Sequence, residues 1–148
     1  MSLTPNAATE AARLRAVDDH IRFECAHELD GLMATFGSDP EWHNQAGEQV
    51  LRGHDAIRGF YGELFRGFPD FRLEIRRRHV ALESVIVEGV LAGTQTGEWM
   101  GIQPAAKTVA VPFCAIFTFT DDNRLKAEVV YYDRLSFLSQ LGVLDSPA

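Results

Sequence analysis

The chain has 148 residues, of which 46% are apolar and 24% are charged, and its formal net charge is −7. This length suits one domain, and the acidic balance excludes proteins that bind nucleic acid through a strongly basic face. Residues 76–78 are all arginine, but they lie in a strand-like pattern and are expected to be solvated charges on a sheet surface. We therefore expect a single domain over residues 1–148 with no nucleic-acid partner.

The N-terminal half of the chain predicts three helices and one short strand. Apolar residues recur every three or four positions in the helical segments, with charged residues between them. Gly53 is tolerated at a helix N-terminus, and Asp55 places negative charge near the positive end of the helix dipole. The predicted order is a helix over 14–29, a short helix ending at 36, a turn at 37–40, a strand over 41–46, a return over 47–52 and a helix over 53–67.

The C-terminal half predicts four strands that are linked by hairpins. Apolar and polar residues alternate here, and residues 121–123 have the composition of a hairpin turn. Helices followed by a run of antiparallel strands predict an α+β fold rather than alternating β-α-β units. The predicted strands cover 71–76, 85–96, 109–119 and 125–133, and a short helix over 135–141 follows them.

The cysteines and the apolar pattern predict the cellular location of the protein. Cys25 and Cys114, the two cysteines of the chain, both lie in apolar patterns and are expected to be buried thiols rather than a disulfide. There is no signal-peptide pattern at the start and no apolar run long enough to span a membrane. These features predict a cytoplasmic protein without membrane contact. No residue spacing resembles a metal site or a phosphate-binding loop, so no metal and no cofactor are predicted.

Asp133 is the least expected polar residue in the sequence. Apolar residues at alternate positions from 125 to 131 share one face of the last strand, and Asp133 falls on that face, whereas Glu128 lies on the other. Burial would raise the pKa of this carboxyl group and make it a general acid or base. Alternatively, Asp133 is the N-cap of the closing helix, and the two roles are compatible.

Further polar candidates follow from the same alternation of faces. Gln95 shares a face with apolar residues of its strand, where its amide could donate to a ligand oxygen or pair with backbone. Asn44 could hold a substrate carbonyl or fix a turn. His79 shares a face with Leu73 and Ile75 and is either a structural residue or a ligand contact, whereas His20 is expected to face solvent. The aromatic residues expected to line an apolar pocket are Trp42, Tyr61, Trp99 and Tyr131.

Three segments resemble a known family. The run from Gln95 to Pro104 (QTGEWMGIQP), followed by Lys107, resembles the central segment of the SnoaL-like polyketide cyclases, or ester cyclases. The ending YYD at 131–133, with QLG at 140–142, resembles the same family. The sequence RGHDAI at 52–57 is similar to the start of the third helix in the wider nuclear-transport-factor-2-like superfamily. The resemblance covers roughly residues 10 to 144.

The resemblance implies a cone-shaped fold in which a curved, mostly antiparallel sheet and N-terminal helices enclose a pocket. It also implies a homodimer, and an enzyme that closes a ring by intramolecular aldol condensation on a small hydrophobic polyketide ester without a cofactor. Asp133 matches the general acid/base of the family. Gln95 stands where many relatives have histidine, and it could hydrogen-bond an enolate oxygen but not shuttle a proton.

Two alternatives remain open from the sequence. The chain could be a non-catalytic ligand-binding module, because a fold does not fix a function. It could also be a hydrolase, dehydratase or isomerase that uses the same pocket.

Overall fold

The computed structural model describes residues 5–144, which form four helices and one six-stranded sheet. The α+β class is thereby confirmed. None of the helices in this range is long and apolar enough to cross a membrane. In chain order the elements are α1 (Ala7–Ala26), α2 (Leu29–Ala34), β1 (Phe36–Asn44), β2 (Gln49–Arg52), α3 (His54–Gly67), β3 (Arg72–Val80), β4 (Ser84–Thr94), β5 (Thr108–Phe119), β6 (Leu125–Tyr132) and α4 (Arg134–Gln140).

The strands lie in the order β2-β1-β6-β5-β4-β3. All neighbouring strands are antiparallel except β1 and β6, which are parallel. The sheet is therefore mostly antiparallel and curved, as expected. The N-terminal helices cover its inner face, and α4 packs beside β5 at one end.

The first two helices are divided earlier than predicted. The side chain of Asn6 accepts a hydrogen bond from the Thr9 amide at 2.9 Å and begins α1. His27 adopts a left-handed conformation with φ of 57°, which ends α1 before residue 29.

The predicted turn at 37–40 is part of β1 instead, and Pro40 lies where the pairing of β1 with β6 shifts register. Pro40 lacks an N–H, and a register shift is where a strand tolerates that loss.

Two β-bulges set the direction of the side chains that follow them. In β3, Ile75 pairs with Gly89 and Arg77 with Glu88, so Arg76 is an extra residue. In β6, Leu125 pairs with Phe119 and Ala127 with Thr118, so Lys126 is an extra residue. An extra residue reverses the alternation of faces beyond it. The second half of each strand therefore has the opposite orientation from the one that simple alternation predicts.

The buried side of the helices includes polar residues as well as apolar ones. In α1, Val17 and Ile21 are buried together with His20 and Glu24. In α3, Ile57, Tyr61 and Leu64 are buried, and they lie on one helical face because of their three- and four-residue spacing.

Gly89 is required by the close approach of β3 and β4 at the first bulge. An added Cβ at this position would lie 2.2 Å from the backbone oxygen of Glu74. We expect Gly89→Ala to destabilise the protein by about 2–3 kcal/mol, because the clash is with backbone that cannot rotate away. Gly59 of α3 has no atom within 4 Å of an added Cβ. Gly59→Ala is therefore expected to stabilise the protein by about 0.5–1 kcal/mol.

Urea denaturation of the two glycine variants and the unchanged protein measures both effects. Equal changes in the two variants would contradict the assigned role of the bulge.

Candidate active site

A cavity of about 60 Å³ lies between the inner face of the sheet and helices α1, α3 and α4. Four residues predicted from the sequence to contact a substrate line it, namely Trp42, Asn44, Tyr61 and Trp99. Their role in substrate binding stays a prediction. The other lining residues are Glu24, Phe60, Leu64, Phe71, Leu73, Leu91, Phe113, Glu128, Val130, Tyr132 and Phe137.

Three ionisable residues form a buried group beside this cavity, which we call the acidic cluster (His20, Glu24 and Glu128). The Nε2 atom of His20 lies 3.1 Å from an oxygen of Glu128 and 3.7 Å from an oxygen of Glu24. Their side chains are 0%, 6% and 5% exposed for His20, Glu24 and Glu128. The hydroxyl group of Tyr61 donates to the same Glu128 oxygen at 2.9 Å. Because isolated charge is costly to bury, this arrangement requires at least one shared proton or another positive charge.

Thr35 fixes the tautomer of His20. The Thr35 hydroxyl donates to the Leu32 carbonyl at 2.6 Å, so it accepts from Nδ1 of His20, which lies 2.9 Å away. Nδ1 therefore carries a proton. Nε2 then faces the two carboxyl groups either as an acceptor of a carboxyl proton or as a second N–H donor. In both cases, one proton is shared within the acidic cluster.

Burial and mutual repulsion favour the neutral forms of two groups beside the cavity. Burial raises the pKa of Glu24 well above its usual value, and the neighbouring charge of Glu128 raises it further. Burial likewise raises the pKa of Tyr61, and Glu128 and Glu24 add to this effect. The Trp42 indole N–H opposes part of the rise at Tyr61, although it makes no hydrogen bond of normal geometry. Tyr61 is therefore a neutral hydrogen-bond donor to Glu128.

The acidic cluster also has donor atoms that could hold a metal ion. One ligand atom from each of its three residues lies within 4.8 Å of the others. An imidazole nitrogen with two carboxylate oxygens suits Zn²⁺ and other divalent first-row metals. A proton shared between His20 and Glu128 satisfies those two residues without a metal, whereas the facing oxygen of Glu24 is left without a hydrogen-bond partner among the described residues.

Asp133 does not face the cavity, so the prediction from strand alternation is wrong. Its side chain is exposed and caps α4, where one carboxylate oxygen accepts from the Ser136 amide at 3.1 Å and the other from the Ser136 hydroxyl at 2.6 Å. These hydrogen bonds lower the pKa of Asp133. The bulge at Lys126 reverses the strand before this point. The alternative role, that of an N-cap, is the one the structure shows.

Gln95 is buried, but its amide group points to backbone rather than into the cavity. Its Nε2 donates to the carbonyls of Ile102 at 2.8 Å and Gly97 at 3.2 Å. These bonds close the loop that carries Trp99, whose amide and carbonyl also pair with Ile102. Gln95 therefore positions a wall residue, and its amide pairs with backbone, which is the second of the two roles considered from the sequence.

His79 and Tyr131 lie on the outer face of the sheet. The Nε2 of His79 pairs with a carboxylate oxygen of Glu88 on the exposed side of β3 and β4. Tyr131 is 46% exposed, whereas the next residue, Tyr132, lines the cavity. Each residue follows one of the two bulges, so the inward orientation predicted from alternation is wrong for both.

Asn44 combines the two roles considered from the sequence. Its side-chain oxygen accepts from the Gly47 amide at 3.1 Å and fixes the turn after β1. Its amide nitrogen donates to the Tyr132 hydroxyl at 3.3 Å at the cavity wall. The proton of the Tyr132 hydroxyl consequently remains free to donate to a ligand oxygen.

Sequence reasoning missed the acidic cluster. It placed His20 at the solvent-facing side of α1 and Glu128 on the outer face of β6, yet both are buried. A signal was present in α1, because Val17, His20, Ile21 and Glu24 have the three- and four-residue spacing of a single helical face. No comparable pattern marks the bulge that turns Glu128 inward.

Comparison with known proteins places the chain in a family. The profile of the SnoaL-like polyketide cyclases matches residues 11–141. The chain belongs to this family. A comparison with curated proteins found no match.

Solved structures support the SnoaL-like fold. A candidate SnoaL-like polyketide cyclase from Jannaschia sp. CCS1 has a TM-score of 0.81 at 21% identity, with 93% of this chain and 94% of that chain covered. AclR from Streptomyces galilaeus, described as a candidate hydroxylase, has a TM-score of 0.80 at 19% identity, with coverage of 93% and 85%. A protein with a ketosteroid isomerase-like fold from Catenulispora acidiphila, in complex with trimethylamine, has a TM-score of 0.75 at 19% identity, with coverage of 90% and 97%.

Variants of Asp133 test its role as a cap. Asp133→Ala removes both hydrogen bonds to Ser136 and is expected to lower Tm by about 2–4 °C. Asp133→Asn keeps a good N-cap, so we expect it to retain most of the original Tm. Thermal unfolding followed by circular dichroism measures both, and an equal loss in the two variants would contradict the capping role.

Glu24 is expected to make stability depend on pH. Because its pKa is raised from the usual value of 4.5 in the folded state, the folded protein binds more protons than the unfolded chain above that pH. Stability is therefore lost as pH rises from about 4.5 towards the raised pKa, with a slope of at most about 1.4 kcal/mol per pH unit for one proton. Glu24→Gln removes this loss, so its stability relative to the unchanged protein is expected to increase with pH.

Urea denaturation at several pH values between 5 and 8 measures this difference. Asp133→Asn is the matched control, because hydrogen bonds from Ser136 lower the pKa of Asp133 and this carboxyl group therefore adds no pH dependence between pH 5 and 8. A difference for Glu24→Gln that stays constant over this range would contradict the prediction.

Proposed function

We propose that this protein is a small-molecule enzyme that removes an α-proton from a carbonyl substrate and promotes intramolecular aldol-type ring closure without a cofactor. The observation that carries this proposal is the acidic cluster, which places two buried carboxyl groups and a histidine beside an apolar cavity. Family membership supports the same class of reaction. The acid/base residues differ from the one that the family resemblance implied.

Glu128 is the proposed base. It lines the cavity, and Tyr61 and His20 hold its carboxylate in place. Tyr61 donates to one oxygen and fixes its direction, which preorganises the group for proton transfer.

Glu24 and His20 are proposed to balance the proton that Glu128 takes up. Two carboxylates so close together in a buried site repel each other. Burial and the neighbouring charge of Glu128 raise the pKa of Glu24 and so favour its neutral form. With Nε2 of His20 lying near both carboxyl groups, a proton received by Glu128 can be redistributed within the cluster.

Tyr132 is the proposed donor to the enolate oxygen. Its hydroxyl accepts from Asn44 and keeps its own proton available at the cavity wall. A donor directed at developing negative charge in an apolar site stabilises the transition state strongly. This pair of residues takes the role that the sequence assigned to Gln95.

Aromatic rings supply the remaining walls and exclude water. Trp42 stacks on Phe60 with ring centroids 4.1 Å apart, and Trp99 packs edge-on against Phe137 at 5.6 Å. Such walls suit a small hydrophobic substrate. The trimethylamine complex of the Catenulispora acidiphila protein shows a small molecule bound by a related fold, and we propose small-molecule binding here.

Exchange of α-protons for deuterium tests the proposed base without knowledge of the natural substrate. We expect the protein to accelerate exchange at the acetyl methyl group of acetophenone in D₂O, measured by proton NMR. Glu128→Gln keeps the size of the side chain but removes the base, so the catalysed rate should fall by about 10²–10⁴-fold.

Asp133→Asn is the matched control and should exchange within about twofold of the unchanged protein, because Asn retains the helix cap. Exchange no faster than in buffer, or an unchanged rate in Glu128→Gln, would contradict the proposal.

An isomerase would begin with the same proton abstraction, and the acidic cluster supports it equally well. The product distinguishes the two enzymes: an isomerase returns the proton to a different carbon, whereas a cyclase forms a new ring. We also propose that the protein is a homodimer, as the resemblance implied, and that it is cytoplasmic, as the cysteines and the apolar pattern predicted. Light scattering after size-exclusion chromatography tests the dimer.

A further inference from the structure

A second, larger chamber adjoins the cavity. It has a volume of about 330 Å³, and we call it the outer chamber. The cavity beside the acidic cluster is called the inner cavity. The two spaces share the wall residues Asn44, Trp99, Tyr132 and Phe137. Ligand sites for drug-sized molecules usually measure about 300–1,000 Å³. The inner cavity thus holds only a few atoms of a substrate, and the outer chamber has room for the rest.

The two chambers differ in chemistry. The inner cavity is lined mostly by aromatic and aliphatic side chains, with Glu24 and Glu128 as its acidic members. The outer chamber adds Gln49 and Arg134, which are absent from the inner wall. Within residues 5–144, the Arg134 guanidinium has no hydrogen bond or ion pair with another residue. In a protein of net charge −7, this chamber therefore offers an unpaired cation beside the proposed reaction site.

Unsatisfied polar atoms point to the same place. Among residues 5–144, four buried side-chain polar atoms have no hydrogen-bond partner, and each belongs to a residue that lines one or both chambers. Buried polar groups in proteins are almost always hydrogen-bonded, so such a concentration marks a place where a ligand can supply partners. The four residues are Glu24, Trp42, Gln49 and Trp99.

On the basis of the proposed function, we infer that the substrate is an elongated keto acid. Its carbonyl end enters the inner cavity between Glu128 and Tyr132, and its carboxylate-bearing body lies in the outer chamber beside Arg134. Trp99 lines both chambers, and its N–H, which has no hydrogen-bond partner within residues 5–144, is available to donate to a substrate oxygen. Arg134 is the specificity residue in this assignment, because a guanidinium group pairs well with a carboxylate.

A matched pair of ketones tests the inference. The probes are 3-(4-acetylphenyl)propanoate and its primary amide, which share an acetyl end and differ in charge at the other end. We expect the propanoate to bind about threefold to fivefold more tightly than the amide in isothermal titration calorimetry at low salt, as for a partly exposed ion pair. Arg134→Gln should abolish this difference.

Two further variants locate the ligand. Arg77→Gln removes an exposed arginine of β3, at the opposite edge of the sheet from β2, and should preserve the preference for the propanoate. Val130→Phe fills the inner cavity and should weaken both probes by about tenfold without changing their ratio. Circular dichroism confirms that each variant is folded.

The inference is overturned if neither probe binds, if the two probes bind equally, or if the preference survives in Arg134→Gln. Deuterium exchange of the acetyl protons, measured on the same two probes, distinguishes a failure of this inference from a failure of the proposed function. Exchange without a preference for the propanoate refutes the substrate class only. A preference for the propanoate without exchange refutes the proposed reaction and leaves the binding assignment in place.

Discussion

The extra residue Lys126 determines the chemistry of the cavity, because it decides which side chains of β6 point inward. Beyond this bulge, Glu128, Val130 and Tyr132 line the inner cavity, and Tyr131 faces solvent. Without the extra residue, the strand would present Val129 and Tyr131 to the interior and place Glu128 outside. One inserted position thus supplies both the proposed base and the proposed donor to the enolate. Bulges are frequent next to active sites for this reason.

An inward carboxylate is tolerated because α1 and α3 surround it with partners. His20 comes from one helix and Tyr61 from the other, and both meet Glu128. Phe36 and Phe117 pack edge-on around the His20 ring, at centroid distances of 5.2 Å and 5.5 Å. These rings exclude water, which strengthens the interactions within the acidic cluster and raises the cost of an unmatched charge. The stability and the chemistry of this region are therefore coupled.

Much of the fold could be predicted from the sequence, because it depends on periodic patterns that the residues carry. The order of helices and strands follows from helical and alternating spacing, and the same patterns predict the positions of Trp42 and Tyr61 on the cavity wall. The site residues after a bulge could not be predicted in the same way. A bulge is a property of the pairing between two strands, and nothing in the residues around Lys126 or Arg76 marks it. Asp133, His79 and Tyr131 were misplaced for this single reason.

The position of Asp133 explains how a residue outside the cavity can still affect it. Its carboxylate caps α4, and α4 carries Phe137 into the wall that the two chambers share. The Phe137 ring lies 5.6 Å from the rings of both Trp99 and Tyr132, so a displaced helix would move the wall between the two chambers. Loss of the cap would therefore act on binding before it acts on proton transfer. A family motif at the end of the last strand is thus compatible with the reaction that we propose at Glu128.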